Sequence, residues 1–274
     1  VFVKLSPTKI GTWQDCPRRF YYSYVARERS RRSWAHFSYG NAVHGALRAW
    51  FDVPSDARKV DPEAELVDQL VDRSWSNAGF RDADQAAEWK QRAVRIVRDY
   101  LSGLDPHFEP LSTERNLAFK QDGFIVEGRI GRLDESARVV TVVEYKTGKS
   151  APSSDEVRGS AALAMYALMV QRALDRPCFD VALHHVPSGA RVAWQHSAQS
   201  LDRHLNRIAG IAADIGRVQD TWESTDQSEE IRDELFPPQP GALCAFCDYW
   251  SKCPAGQLRS PQRESWEGLS RDDA

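Results

Sequence analysis

Gly128-Arg129-Ile130-Gly131-Arg132-Leu133-Asp134, followed by Val142-Val143-Glu144-Tyr145-Lys146-Thr147-Gly148, decides how this chain is read. Both stretches space apolar and β-branched residues as strands do, and Thr147-Gly148-Lys149 breaks the second. With a shorter apolar run before them they predict a meander of three strands, near 117–120, 124–133 and 138–146. Side chains two apart in a strand leave by the same face, so Glu144 and Lys146 share one site at the strand's C-terminal end. A carboxylate that can ligate a divalent cation, beside an amine that orients water or stabilises developing charge, is the chemistry of phosphodiester hydrolysis. Glu-x-Lys by itself is common and ordinarily marks a surface ion pair, so its company decides.

Upstream, Val43, Leu47, Trp50 and Phe51 recur at helical spacing, with His44 at the edge of the stripe. Gly40-Asn41-Ala42-Val43-His44 therefore reads as the opening of a helix. Residues 61–104 read as two or three amphipathic helices, with Trp75, Trp89, Ile96, Val97, Tyr100 and Leu101 among the buried candidates, and Asp105-Pro106 ends the block. Downstream, 156–174 predicts a helix that includes Met165 and Tyr166, 179–186 and 191–196 predict two strands, and 201–218 a further helix. His184 and His185 are adjacent in a strand and face opposite ways, so they read as ordinary strand residues. The tail from Phe236 onward, rich in Pro and Cys, has neither period.

Five cysteines in a chain without secretory features point to metal or redox chemistry rather than a disulfide framework. Cys244, Cys247 and Cys253 stand as C-x2-C-x5-C in a segment too irregular to fold unaided. Cys16, in Asp15-Cys16-Pro17-Arg18-Arg19-Phe20, is the best fourth ligand, whereas Cys178 enters a strand and reads as core. Four thiolates suit a cubane iron–sulfur cluster or structural zinc, and spacing leaves both open. Tying Cys16 to Cys244 closes a loop of roughly 230 residues, for which chain entropy gives on the order of 5 kcal/mol.

The 274 residues are 42% hydrophobic and 27% charged, which suits an ordinary globular chain folded as one elaborated domain. No apolar run approaches the roughly 20 residues that span a bilayer, and Val1-Phe2-Val3-Lys4 lacks the layout of a signal peptide, so a cytoplasmic protein without membrane contact is expected. A net charge of −3 excludes a uniformly basic nucleic-acid coat. Locally, however, Arg18, Arg19, Arg27, Arg29, Arg31 and Arg32 alternate with Phe20, Tyr21, Tyr22 and Tyr24. That pattern serves phosphates and bases, or equally a core of aromatics under solvated arginines. The acidic stretch 220–234 reads as a solvated surface helix or loop.

Taken in order, a cysteine, a helix with His44, a Gly-x-Ile hairpin, Glu144-Tyr145-Lys146 and three cysteines resemble the RecB-like branch of the PD-(D/E)XK nuclease superfamily. Within it the chain looks most like the iron–sulfur members, such as the AddB nuclease domain and the nucleases of CRISPR spacer acquisition. The resemblance runs from Cys16 to Cys253. It implies an α/β fold in which a central mixed β-sheet is flanked by helices, a restriction-endonuclease-like core. A helical region at 40–105, a nuclease core at 112–220 and a cluster segment at 236–256 would lie in one domain. His44, Glu144 and the backbone carbonyl of Tyr145 would hold Mg2+ or Mn2+, Lys146 would assist the attacking water, and Cys16, Cys244, Cys247 and Cys253 would hold a structural [4Fe-4S] cluster. Arg18, Arg19 and Tyr166 would face DNA, single-stranded or at ends, with a helicase or other repair protein as a further partner. Glu114 falls where the family often has an acid.

Two positions depart from the family's pattern. The hairpin strand ordinarily reads Gly-x-Ile-Asp, its aspartate a principal metal ligand, and here Gly131 stands there. The following helix ordinarily carries a glutamine four residues before its tyrosine, and here Ala162 precedes Tyr166. Glu127, on the same strand face as Gly131, or Asp134 at the turn are candidate substitutes. The reading is therefore a metal-dependent exonuclease, against an impaired DNA-binding scaffold that keeps the fold and the cysteine site.

Overall fold

The structure is a computed structural model, described for residues 2–30, 32–60 and 65–269. In chain order the main elements are β1 (Val3–Leu5), α1 (Pro7–Asp15), α2 (Pro17–Phe20), α3 (Ala35–Asp52), α4 (Leu66–Ser74), α5 (Ala83–Ser102), β2 (Ser112–Gln121), β3 (Phe124–Ser136) and β4 (Val139–Lys146). Then come α6 (Ser154–Gly159), α7 (Ala161–Ala173), β5 (Asp180–His185), β6 (Ala190–Gln195), α8 (Ala198–Glu223), α9 (Glu229–Leu235) and α10 (Pro254–Arg259). The strands form a six-stranded mixed sheet in the order β1-β3-β4-β5-β6, with β2 also pairing with β3. This is the expected α/β architecture of a mixed sheet flanked by helices.

The chain divides into two compact units. One comprises residues 33–117, 129–201 and the C-terminal end. In it the second half of β3 runs antiparallel to β4, Arg132 opposite Val143, and β4 runs parallel to β5, Glu144 beside Leu183. Parallel neighbours need a crossover, and α6 and α7 supply it. The predicted single helix is broken at Ser160, because Ser153 caps α6 in a box with Glu156 and Ser160 caps α7 by accepting from Leu163 N at 3.3 Å. The stripe of α3 (Tyr39, Val43, Leu47, Trp50) packs with Val67 and Leu70 of α4, Trp89 and Val97 of α5, and Tyr145 of β4 in one core. Of the predicted buried residues only Trp75 stays half-buried, stacked on Phe80 at 5.3 Å.

Helix α3 begins at Ala35 and not at Gly40, because Ala35 and Tyr39 continue the buried stripe one turn earlier than the glycine suggested. Gly40 lies inside the helix for a different reason. A Cβ there would sit 3.2 Å from Thr147 Oγ1, so its absence lets α3 approach the turn that ends β4.

The other unit comprises the chain up to Arg32, residues 118–128 and residues 202–264. Its strand β1, three residues too few to show a period, pairs in parallel with the start of β3, Val3 beside Phe124 and Leu5 beside Val126. Phe20, Tyr21, Trp222, Phe236 and Trp13 form an aromatic cluster with ring separations of 5.1 to 6.4 Å. The expected solvated stretch 220–234 therefore holds one anchor, Trp222, which is buried. Cys178, in the first-described unit, is fully buried as a core residue.

Candidate metal centres

Glu144 and Lys146 leave β4 by one face, as strand geometry requires, and His44 is brought to the same cavity from the middle of α3. Gly40, Asn41, Tyr145 and Thr147 complete that side. The His44 ring meets the Tyr145 ring edge to face at 5.8 Å. Burial, with Lys146 and Arg129 as neighbouring cations, pushes the imidazole down to about 4, so at neutral pH it presents a neutral nitrogen lone pair. Burial pushes the Glu144 carboxyl up to about 7. Lys146 opposes that rise and Glu114 adds to it. A second acid thus stands in the electrostatic field of the first.

Glu114 is held in an unusual way. Its backbone lies in the left-handed region at φ +47°, which costs a non-glycine residue on the order of 1 kcal/mol, and its carboxylate pairs with Arg129 at 2.7 Å. Tyr166, half-buried on α7, feels both Glu144 and Glu114, which with burial hold its phenol well above the usual range. Ala162 is half-buried on the first turn of the same helix and offers no polar group.

At Gly131 an added Cβ would lie 3.7 Å from Glu144 Oε2 and 3.7 Å from the Val143 carbonyl oxygen, ordinary contact distances. The position faces Glu144 and has room for a side chain, which it lacks. Of the suggested substitutes, Asp134 is engaged with Arg132 at 2.7 Å, and the charge of Glu127 acts on Lys9. Hard cations such as Mg2+ are held by one or two carboxylates with waters and substrate phosphates completing the shell. Glu144, neutral His44 and nearby Glu114 fit that chemistry as a sparse donor set. Among the described residues no three His, Cys, Asp or Glu side chains close on a single point.

Adjoining strand residues are structural. His184 Nδ1 is 2.6 Å from the Tyr100 hydroxyl, and His185 is bonded to Ser188 Oγ and the Gly148 carbonyl, both at 2.7 Å. Arg132, buried, donates to Tyr145 Oη of β4 at 3.0 Å.

In the second unit Cys16, Cys244, Cys247 and Cys253 line one cavity. Gln239 N donates to Cys16 Sγ and Gly241 N to Cys244 Sγ, both at 3.4 Å. Gly256 leaves the space beside Cys253 and Cys244 open, since a Cβ there would be 3.6 and 3.7 Å from their sulfurs. Tyr22 donates to the Lys252 carbonyl at 3.1 Å and Tyr249 to the Glu28 carbonyl at 3.1 Å, which stitches the tail to the N-terminal segment. Burial raises the Cys247 thiol, Arg19 counters that, and Cys16 reinforces it. Four thiols line this cavity, with backbone donors aimed at two of the sulfurs, which is the chemistry of a polythiolate site although no three of them close on a single point.

Of the two arginines expected to face DNA, Arg18 does not face solvent. Arg18 is buried, its Nε donating to the Phe236 carbonyl at 2.8 Å and its Nη2 paired with Asp233 at 2.6 Å. A charged group is buried only when paired, and Arg18 is spent on that pairing. Arg19 lines the cysteine cavity. Sequence reasoning also passed over Tyr39 and Arg92, which line the cavity of Glu144. They lie on separate helices, and no spacing rule links them.

No helix among the described residues is long and apolar enough to cross a membrane. No curated protein matches the chain. Two solved structures are similar in outline. SSO0001 shares 12% identity over 92% of this chain and 86% of its own, with a TM-score of 0.41. A protein from Eubacterium rectale designated a presumed exonuclease shares 12% identity over 90% and 87%, with a TM-score of 0.45. The family model described as PD-(D/E)XK nuclease superfamily matches residues 4–254, nearly the whole chain, and the protein belongs to that superfamily.

Proposed function

We propose that this protein is a RecB-like, metal-dependent DNA nuclease acting on single strands or DNA ends, in repair, recombination or defence. The observation that carries the reading is the single cavity lined by His44, Glu144, Tyr145 and Lys146. His44, Glu144 and the Tyr145 carbonyl would hold Mg2+ or Mn2+, which when bound supplies Lewis acidity and a more acidic water. The protein's own part is to present His44 as a neutral donor, to keep Glu144 half-sheltered from solvent, and to set the Lys146 amine beside developing negative charge. Tyr166 would line the path of the strand.

In the other unit we assign Cys16, Cys244, Cys247 and Cys253 to a structural [4Fe-4S] cluster, with zinc as the alternative. Stoichiometric iron with broad visible absorption supports the cluster, and a colourless protein with one zinc replaces it.

Gly131 favours a second reading, a DNA-binding scaffold for a helicase or other repair protein, because it removes the carboxylate that would face Glu144. Digestion of end-labelled single-stranded DNA with Mn2+, comparing this chain with Gly131→Asp, separates the two. Cleavage by both proteins, abolished by Glu144→Gln, supports the nuclease. Cleavage by Gly131→Asp alone supports the scaffold, and cleavage by neither defeats the catalytic assignment.

A further inference from the structure

Beyond the acid and the amine, the cavity of Glu144 has a second polar wall. Tyr39 is 3% exposed, and a buried hydroxyl without a partner costs roughly 1–3 kcal/mol, so such groups are rare unless something else satisfies them. Tyr39 Oη nevertheless has no hydrogen-bond partner among the described residues, and the same is true of Arg92 Nη1. Both residues line the cavity. Arg92 is near enough to donate to the Tyr39 phenol oxygen, which leaves the phenol proton itself free, and its guanidinium lies over the Trp89 ring at 4.9 Å, with Trp89 edge-on to Tyr39 at 5.1 Å. The aromatic ring holds the cation in place without consuming its N–H groups.

Two orphaned donors, one of them a fixed cation, describe a receptor for an anion with several acceptor oxygens. Lys149 lines the same cavity, and Phe37, 56% exposed, stands at its edge as a flat apolar face. Phosphate beside a stacking platform is how single-stranded nucleic acid is gripped.

We propose that Tyr39 and Arg92 form a phosphate-binding subsite for a nucleic-acid strand, with Phe37 taking the adjoining base. The proposal rests on the nuclease reading and deepens it, since it assigns the group that seats the strand next to Glu144 and Lys146. The phosphate is either a terminal phosphomonoester, which makes the subsite a reader of strand ends, or an internucleotide phosphodiester, which makes it a grip along the strand.

The test measures binding, so that it does not depend on catalysis. Internally labelled dT10 carrying a 5′-phosphate, a 3′-phosphate or no terminal phosphate is titrated with the full chain in EDTA and followed by anisotropy. Arg92→Gln is expected to weaken binding about tenfold or more, and Tyr39→Phe about threefold, as for loss of a charged and a neutral donor to phosphate. Loss confined to one phosphorylated oligonucleotide identifies the terminal phosphate, and equal loss on all three the internucleotide one.

Tyr39→Phe also separates binding from structure. Removing an unpartnered hydroxyl should leave Tm unchanged or slightly raised while binding falls. A lowered Tm with unchanged affinity assigns the hydroxyl to the fold and overturns the subsite. If both variants bind all three oligonucleotides as tightly as the parent, the subsite falls while Mn2+-dependent cleavage by the parent leaves the nuclease reading standing. If the parent itself binds none of them, both readings fall together.

Discussion

The two units carry candidate sites of unequal completeness. Around Cys16 all four candidate thiols line one cavity, and two backbone N–H groups already point at sulfur. Around Glu144 the frame is present, but at Gly131 a position with room for a side chain has none. On the proposed reading, a ligand set is kept whole where it would hold the fold together, while the candidate site around Glu144 is thinned. A cross-link between distant parts of a chain stabilises more the longer the loop it closes, growing with the logarithm of loop length, whereas an absent carboxylate at Gly131 leaves packing untouched.

The largest effect expected from this contrast follows Cys16→Ser. With one thiolate gone the metal group should be lost or labile, and up to about 5 kcal/mol of cross-link stabilisation goes with it, lowering Tm by about 10 °C or more. Metal analysis and calorimetry on the same samples check this. A variant that keeps both its metal and its Tm would remove Cys16 from the site.

Gly131→Asp tests the other side. A carboxylate placed opposite Glu144 adds a full charge to the sparse donor set, and Mn2+ affinity measured by calorimetry should rise about a hundredfold. The parent fold should be unchanged, since the position accepts a Cβ at ordinary contact distance. Unchanged affinity would mean that the cation sits elsewhere.

Acid should act on the unit that holds Glu144. Burial, with Arg132 and Arg191 nearby, holds the His184 imidazole down to about 3, against 6.5 for an ordinary histidine. Between those values the unfolded chain binds the extra proton, so this stability is full above about pH 6.5 and is lost as pH falls toward 3. At pH 5 the loss is on the order of 2 kcal/mol. His44, also depressed, has the same sign. His184→Gln should flatten the acid limb of urea denaturation relative to pH 7, and an unaltered limb would show that His184 does not govern it.

What was legible in the sequence was whatever repeats or keeps a spacing. The meander, the helical stripe through Val43 and Trp50, and the cysteine trio were readable because period 2, period 3.6 and C-x2-C are local signals. Strand β1 was not, since three residues carry no period and Val3 to Leu5 become a strand only by pairing with Phe124 to Val126. Arg18 was misread because charge does not report burial: its partners, Phe236 and Asp233, lie more than 200 residues away. Tyr39 and Arg92 show nothing unusual in sequence, because an unsatisfied donor exists only once the chain has folded around it.

The smallest effect expected concerns Arg19, which the family resemblance implies as a DNA contact and which lines the cysteine cavity. Its cation opposes the burial that raises the Cys247 thiol, so it favours the thiolate that a metal group requires. Arg19 is half-buried and solvent screens part of its field. Arg19→Gln should therefore speed metal release to a chelator only about two- to threefold, with Tm almost unmoved. A fall in DNA affinity without faster release would return Arg19 to the DNA surface, and faster release with unchanged affinity would keep it as a counter-charge to the thiolates. The comparison between the units would then rest on charge as well as on ligand count.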